Sequence, residues 1–443
     1  MILPRVLIFG QPFNDRNGGG ITLSNLFKEW DRDKLAVAAT GHLMQHLTTD
    51  VCEKYYQLGY EEYRWRFPFN FLQKKFESGV LGVVQEQDVS ATMKKKGVRY
   101  FIVNSFFYPL LEWLGLFHKA ASLNLSPRFK FWLDEFRPQL LYLQVSSLDT
   151  IKFAGELKKY LGIPSVIHMM DDWPSTISKR GPFRKAWGKR IDNEFRALLK
   201  STDLFLSISE AMSTEYKRRY DKAFIPFHNP IDIKVWGKER KTVYELRGSH
   251  VKVLYSGRIG PGIKKSLIEV ATAIEELNME GLSIRFHIQS PGSDPVVIRS
   301  LLGFKCVVMN SVAEYSSLPG IYSGADILVI ANDFDYHGLS FLRYSMPTKA
   351  SEYMISGTPV LVYSHSETAV SRFFGDNKCG CCVVEQNKEV LKQALKHLIN
   401  NEDYRATLGG NAVKVASELF DGEKKRKEFR QLLIDTATVS DKV

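Results

Sequence analysis

Cysteine is scarce in this chain, and long hydrophobic runs are missing. The 443 residues include five cysteines, and an odd number in a long chain favours reduced thiols in a cytosolic compartment. Near the start, the apolar run at residues 6–9 has no small-residue cleavage site after it, so we expect a first β-strand rather than a signal peptide. The apolar stretch at residues 101–117 contains Asn104 and Glu112 and is shorter than the roughly 20 residues that span a bilayer. We therefore expect a cytoplasmic protein without a transmembrane helix.

Familiar metal and dinucleotide motifs are also missing. The cluster Cys379-Gly-Cys381-Cys382 has no further His or Cys at ligand spacing, so we expect a turn leading into a strand rather than a zinc site. The run Asn17-Gly-Gly-Gly20 is not GxGxxG, and no acidic residue follows at the ribose position, which argues against a nicotinamide cofactor. With a helix beginning near Thr22, the amides of Gly19 and Gly20 would suit a phosphate, although three glycines can also simply form a turn.

The excess of basic residues points to anionic partners. A net charge of +11 suits nucleotide phosphates, phospholipid surfaces or nucleic acid. The basic clusters at 94–96 and 424–427 lack interleaved aromatic residues and are typical of solvated helix faces, so we expect no nucleic acid. Peripheral contact with the inner membrane face stays open, because Phe106, Phe107 and Trp113 would suit an interfacial helix, although core packing is the simpler explanation of these aromatics.

Short apolar runs alternate with longer amphipathic stretches, as in proteins built from βα units. In the first half this pattern predicts strands and helices at residues 5–9, 24–30, 140–143, 149–160 and 165–168. In the second half it predicts a strand, a helix and four further strands at residues 251–255, 266–277, 283–289, 306–309, 327–330 and 359–363. The predicted fold class is therefore α/β, with parallel, doubly wound sheets.

A polar segment with weak periodicity separates the two halves. Residues 230–249 are rich in charge and predict an interdomain linker. We accordingly predict an N-terminal domain at 1–235, a C-terminal domain at 250–420 and a final helix at 421–443. Whether this helix crosses back to the N-terminal domain is left open by the pattern.

Cationic side chains follow the first strand of the second half. Arg258 comes directly after that strand, and Lys264 and Lys265 follow one loop later, just before a helix. An arginine at the carboxyl end of a strand can bind a diphosphate as a fork, and a lysine can add a point charge. Solvation at the surface is the alternative for these three residues.

The segment at residues 342–361 carries the densest set of polar residues. Pro347 precedes Thr348 and Lys349 and a short predicted helix, so the helix-start amides would face an anion. Glu352 would then lie about one turn into the helix, where its carboxylate can accept hydrogen bonds from both ribose hydroxyls. Ser345 lies in the same loop.

This segment resembles the donor-site signature of glycosyltransferase family 4, in the pattern Ser345-Met-Pro-Thr-Lys-x-x-Glu352-Tyr-Met-x-x-Gly357-Thr-Pro359. The resemblance extends to four other segments, at residues 207–212, 228–232, 256–258 and 322–329. It implies a retaining enzyme of the GT-B type, in which two Rossmann-like domains face each other across a cleft. The N-terminal domain would bind the acceptor and the C-terminal domain the nucleotide sugar.

The resemblance also implies roles for individual residues. Arg258, Lys264 and Lys265 would neutralise the diphosphate, while Glu352 would bind the ribose. His168, at a strand end, is similar to the acceptor-side histidine that contacts the transferred sugar in this family, although a core histidine is the alternative. Ser345, Thr348 and Lys349 would line the donor loop.

One position departs from the family pattern. Many members have a second glutamate eight positions before Glu352, where this chain has Tyr344. Asp333, Asp335 or the amides near Gly338 could take over its contacts to the sugar. Although Asp333-Phe-Asp335 has the DxD spacing of metal-dependent glycosyltransferases of another fold, we expect no required metal, because cations and helix termini stabilise the leaving diphosphate in GT-B enzymes.

These expectations combine into one predicted function. We expect transfer of a hexose from a UDP- or GDP-sugar to a glycan or lipid-linked glycan, with retention at the anomeric carbon and without a cofactor. A nucleotide-sugar epimerase or phosphorylase of the same architecture is the first alternative, since the fold alone does not fix the reaction. A basic, non-catalytic binding protein is the second.

Overall fold

The chain divides into two compact units. The computed structural model describes residues 3–67, 70, 75–82, 108–116, 118, 121–177, 181–290 and 295–439. Unit 1 comprises Met1–Ser207, Ser213–Pro226 and Glu428–Val443, and unit 2 comprises Ile208–Met212 and Phe227–Lys427. The predicted domains were 1–235 and 250–420. In the structure, the main segment of unit 2 already begins at Phe227 and continues to Lys427.

Unit 1 is built on a mainly parallel sheet. Its strands are β1 (Val6–Phe9), β2 (Leu35–Thr40), β3 (Lys54–Leu58), β5 (Gly79–Leu81), β7 (Leu140–Leu143), β8 (Ser165–Met169), β9 (Leu204–Ser207) and β10 (Ile225–Pro226), in the order β10-β9-β8-β7-β1-β2-β3-β5. Among the described strands of this sheet, only β5 pairs antiparallel. A separate antiparallel pair consists of β4 (Tyr63–Trp65) and β6 (Ala121–Leu123).

The helices of unit 1 accompany these strands. They are α1 (Gly18–Phe27), α2 (Tyr108–Trp113), α3 (Pro127–Phe136), α4 (Leu148–Leu161), α5 (Trp173–Thr176) and α6 (Arg184–Ser201), with a 3₁₀ turn at Arg32–Lys34. Two further helices, α7 (Glu210–Tyr220) and α17 (Gly422–Val439), contain residues of both units. On α17, Phe429 packs edge-on against Phe27 with ring centroids 5.0 Å apart, so the last helical segment belongs to the core of unit 1.

Unit 2 contains a second, wholly parallel sheet. Its strands are β11 (Val251–Ser256), β12 (Ile284–Gln289), β13 (Val307–Asn310), β14 (Ile327–Ala331), β15 (Val360–Tyr363) and β16 (Cys381–Val383), in the order β13-β12-β11-β14-β15-β16. Its helices are α8 (Ile233–Trp236), α9 (Lys264–Met279), α10 (Pro295–Leu301), α11 (Leu318–Ser323), α12 (Tyr336–Leu342), α13 (Lys349–Ile355), α14 (Ala369–Asp376), α15 (Lys388–Asn400) and α16 (Glu402–Leu419). Short 3₁₀ turns lie at Gly237–Glu239 and Tyr315–Ser317.

The sequence explains why these strands are central. Every residue of β1, β7, β14 and β15 is buried, as expected for parallel strands that are covered on both faces by helices. Helix starts are marked locally as well: Ser147 and Thr150 form a capping box at the start of α4, and Gly162 ends that helix in the left-handed region at φ 64°. No helix among the described residues is long and apolar enough to cross a bilayer.

Two sequence-based expectations were wrong in detail. Helix α1 begins at Gly18 instead of near Thr22, because the Asn17 side chain caps it by accepting from the Gly20 amide at 2.8 Å. The predicted linker at 230–249 is packed onto unit 2: Trp236 is 3% exposed, and Tyr244 donates a hydrogen bond to the Gly357 carbonyl at 3.0 Å. Because single aromatic residues hold this segment in place, its sequence shows no periodic hydrophobic pattern.

Candidate active site

Strand order reverses between β11 and β14, and the predicted donor residues gather at that point of unit 2. From β11 the chain proceeds to β12 and β13 on one side, whereas β14, β15 and β16 follow on the other. The carboxyl ends of β11 and β14 therefore border a crevice of the kind in which open α/β sheets bind ligands. The loop after β11 contains Arg258, and α9 and α13 both begin at this edge.

Lys349 is the first residue of α13 and points back at the end of β11. Its ammonium nitrogen lies 3.1 Å from the Ser256 carbonyl oxygen and 3.7 Å from the centroid of the Tyr255 ring. Desolvation lowers the pKa of this half-buried lysine to about 7, while nearby Glu352 acts in the opposite direction. A lysine that is held away from water in this way favours a negatively charged ligand, because such a ligand restores the lost stabilisation of its charge.

Glu352 lies one turn further along α13 and is 3% exposed. Its Oε1 accepts hydrogen bonds from the Tyr315 hydroxyl at 2.9 Å and from the Asn229 amide at 3.2 Å. Burial raises the pKa of this carboxyl to about 7, against the effect of these two hydrogen bonds and of Lys349. The described residues form no hydrogen bond with Oε2, so this oxygen can accept hydroxyl groups of a ligand.

The loop before α13 is held by two residues that precede α8. His228 Nε2 bonds to the Pro347 carbonyl at 3.2 Å, and burial lowers the pKa of this histidine to about 4, so it stays neutral. The carbonyl of Asn229 accepts from the Ser351 hydroxyl at 3.0 Å. The segment therefore fixes the position of the loop before α13, a role of Asn229 for which the local sequence gives no signal.

The three cations after β11 occupy different environments. Arg258 is exposed, and its guanidinium forms no hydrogen bond or ion pair with any described residue. Lys265 is also exposed, but its ammonium group pairs with Asp335 at 2.6 Å, an interaction that raises the lysine pKa. Lys264 is half-buried at the first position of α9. Arg258 is thus available to an anion, whereas Lys265 is engaged.

The two aspartates of the DxD-like segment hold loops of unit 2 in place. Asp333 Oδ1 accepts from both the amide and the hydroxyl of Ser266, each at 2.9 Å, and burial raises the pKa of this carboxyl. Asp335 caps α12 by accepting from the Gly338 amide at 2.9 Å. Among the described residues, no group of three or more His, Cys, Asp or Glu side chains is placed to hold a metal ion.

The remaining residues of this loop that were predicted to bind the donor have less distinct environments. The Ser345 hydroxyl is buried and bonds to the Phe341 carbonyl at 3.4 Å, and Thr348 is the residue before α13 without a side-chain cap bond. Tyr344, in place of the family glutamate, accepts a hydrogen bond from the Ser209 hydroxyl through its carbonyl at 2.6 Å. The contacts of these residues with a sugar stay predictions.

Unit 1 contains the other predicted site residues. His168 lies within β8, is 1% exposed and bonds through Nδ1 to the Tyr142 hydroxyl at 2.5 Å. Gly19 and Gly20 lie in the first turn of α1, where a Cβ on Gly20 would come within 2.2 Å of the Asn14 amide nitrogen. A side chain at position 20 would therefore have to displace the Asn14 side chain. Phosphate contact by this turn stays a prediction, as does the catalytic role of His168.

The raised pKa of Glu352 predicts that its ionised carboxylate lowers the stability of the folded protein. Between the usual 4.5 and about 7 the folded protein binds a proton that the unfolded chain does not, so stability falls as pH rises through this range. Glu352→Gln is therefore expected to gain about 3 kcal/mol of unfolding free energy at about pH 8 and much less near pH 5. Urea unfolding of the variant, with the exposed Glu418→Gln as control, measures this; an equal gain at both pH values would contradict the assignment.

Comparison with known proteins identifies the kind of domain that this site belongs to. Residues 250–401 match the family model described as "Glycosyl transferases group 1". This stretch contains Arg258, Lys349 and Glu352, and the match confirms the prediction that the chain is a glycosyltransferase. No curated protein sequence matches the chain.

Solved structures share the fold over nearly the whole chain. Sucrose-phosphate synthase from Thermosynechococcus elongatus aligns with a TM-score of 0.61 at 14% identity, covering 98% of this chain and 99% of that one. HepE from Anabaena, in complex with UDP-glucose, gives 0.62 at 13% identity over 97% and 99%. The α,α-trehalose-phosphate synthase (UDP-forming) from Burkholderia vietnamiensis gives 0.57 at 12% over the full length of both chains. These alignments confirm the predicted α/β class and two-domain GT-B architecture.

Proposed function

We propose that this glycosyltransferase moves a hexose from a nucleoside diphosphate sugar to a hydroxyl group of a glycan or lipid-linked glycan, with retention at the anomeric carbon. The observation that carries the proposal is the pair formed by Lys349 and Glu352 at the strand-order reversal of unit 2. A desolvated cation and a buried carboxylate one turn apart provide complementary partners for a diphosphate and a ribose.

The choice of donor follows from chemistry and from the structural neighbours. HepE was solved with UDP-glucose, and the trehalose-phosphate synthase is described as UDP-forming. We therefore propose a UDP-sugar as the first donor to test and a GDP-sugar as the second. The acceptor is inferred from the family resemblance alone.

The protein's contribution to catalysis would be electrostatic. As the glycosidic bond to phosphate breaks, negative charge grows on the departing diphosphate, and Lys349 and Arg258 would stabilise it at fixed positions. Lys264, at the start of α9, would add a third positive charge. Glu352, held by Asn229 and Tyr315, would anchor the ribose and so keep the diphosphate in register with these cations.

A thermal-shift panel of uridine, guanosine and adenosine diphosphate sugars tests the site directly. A ligand that binds only the folded state raises the melting temperature by mass action, so the true donor should give the largest shift. The Glu352→Gln variant should lose much of this shift, since a neutral amide binds ribose hydroxyls less strongly than a carboxylate. No shift with any diphosphate sugar, or the same shift in the variant, would refute the donor site.

The reaction itself is tested with the donor found in that panel. Product formation that requires an acceptor, with the new linkage in the same anomeric configuration as the donor by NMR, is expected. Conversion of the sugar nucleotide without any acceptor would favour the epimerase, and dependence on free phosphate would favour the phosphorylase.

Metal independence is a separate expectation. Because cationic side chains at the edge of the sheet would balance the charge of the leaving group, transfer should continue at near-parental rate after treatment with a chelator. Activity that is abolished by the chelator and restored by manganese would overturn this expectation. Assays in matched ionic strength control for the effect of salt on diphosphate binding.

A further inference from the structure

Three large apolar side chains are exposed together on unit 1. Leu110 and Trp113 lie one turn apart on α2 and are 50% and 51% exposed, and Phe183, just before α6, is 55% exposed. Large apolar side chains exposed as a group, rather than singly, indicate a surface that is covered by a partner.

Backbone packing brings the segments that carry these side chains together. A Cβ on Gly181 would meet the Trp113 carbonyl, and a Cβ on Gly115 would meet the buried Trp187 ring of α6. The end of α2 therefore lies directly against the start of α6. Both glycines have positive φ, at 90° and 66°, so the contact depends on backbone conformations that favour glycine.

The start of α6 surrounds this apolar group with positive charge. Arg184, Lys185, Lys189 and Arg190 are all exposed on its first two turns, and none of them forms an ion pair with a described residue. Arg190 lies over the Trp187 ring, 5.7 Å from its centroid, and so stays close to the contact. The acids of this helix, Asp192 and Glu194, lie further along and pair with Arg196 and Lys152.

We propose that these residues, which we call the α2–α6 patch, dock unit 1 onto an anionic lipid bilayer. Trp and Phe partition into the interface between headgroups and acyl chains, while Arg and Lys attract anionic headgroups. A nucleic acid would satisfy the charges but would not account for an exposed Leu110 beside Trp113. The proposal is independent of the hexose transfer, and it would place the enzyme where a lipid-linked acceptor is found.

Vesicle sedimentation of the full chain, without donor or acceptor, tests the patch. Binding is expected to vesicles of phosphatidylcholine mixed with phosphatidylglycerol and to be much weaker with phosphatidylcholine alone. Since each basic residue near such a surface contributes about fivefold in affinity, replacing Arg184, Lys185, Lys189 and Arg190 with Ala should weaken binding by more than about a hundredfold. Replacing Leu110, Trp113 and Phe183 with Ser should also abolish binding while leaving every charge in place.

The matched control removes four positive charges elsewhere. Ala at the exposed residues Lys159, Lys200, Lys414 and Lys424 lowers the net charge equally and should leave most of the binding. Equal loss in the control, or unchanged binding in the Ser variant, would mean that only general charge attraction acts, and would overturn the proposal. If the two patch variants lose affinity for a random RNA oligonucleotide but still bind vesicles, the patch binds nucleic acid instead of lipid, and the proposal is overturned. Melting temperatures near the parental value verify that each variant is folded.

Discussion

Replacing Lys349 with methionine is expected to reduce donor turnover by about 100- to 1,000-fold, the loss typical of removing one fixed group that stabilises transition-state charge. Methionine has a similar length and can keep the contact with the Tyr255 ring, so the change removes mainly the charge. Because burial makes the ammonium form costly, the variant should melt no lower than the parent. Steady-state kinetics with the identified donor measures the loss.

The control for this variant is the same change at an exposed site. Lys414 is exposed on the surface of α16, and Lys414→Met should keep parental turnover. Parental turnover in Lys349→Met would show that the lowered pKa of Lys349 reflects packing alone. A large drop in melting temperature would likewise assign Lys349 a structural role.

Reversing the charge of Arg258 is the second change for which we expect a severe effect. In Arg258→Glu a carboxylate would stand where the diphosphate leaves, so repulsion replaces attraction and turnover should fall by about 1,000-fold or more. Since the parental guanidinium is exposed and forms no ion pair among the described residues, the fold should be unaffected.

Arg299→Glu, at an exposed position of α10, carries the same change in charge and serves as the comparison. It should keep turnover within a small factor of the parent, with both variants assayed at the same salt concentration. Near-parental turnover in Arg258→Glu would refute the role of Arg258 in charge stabilisation. An equal loss in both variants would point to net charge instead of position.

The sequence predicted the framework of unit 2 closely, for a physical reason. Strands that are buried on both faces produce short, continuous apolar runs, and the predicted strand at 327–330 differs from Ile327–Ala331 by a single residue. Segments rich in glycine, and segments held in place by single buried residues, do not produce such apolar runs. The pattern therefore predicts the start of α1 too late, and it predicts a linker around Trp236 although this residue packs into a core.

The predicted donor residues rest partly on local pattern and partly on the family resemblance. Glu352 does lie one turn into a helix, as Pro347 and Gly357 indicated. The contribution of Tyr315 and Asn229, which lie 37 and 123 positions away, arises only from tertiary packing and leaves no trace in local sequence. The strand order that brings Arg258 and Lys349 to one edge is likewise a property of topology.

The close spacing of Lys349 and Glu352 affects how the protonation of both groups changes when the donor binds. Burial lowers the pKa of Lys349 to about 7 and raises that of Glu352 to about 7, so in the absence of ligand both groups titrate near neutral pH. A diphosphate favours the ammonium, and ribose hydroxyls favour the carboxylate. Donor binding is then expected to release a proton from the acid and to take one up on the amine, so that near pH 7 the two changes offset each other with little net exchange with the buffer. Affinity for the donor should therefore pass through a maximum near pH 7, because the ammonium is lost above this pH and the carboxylate below it.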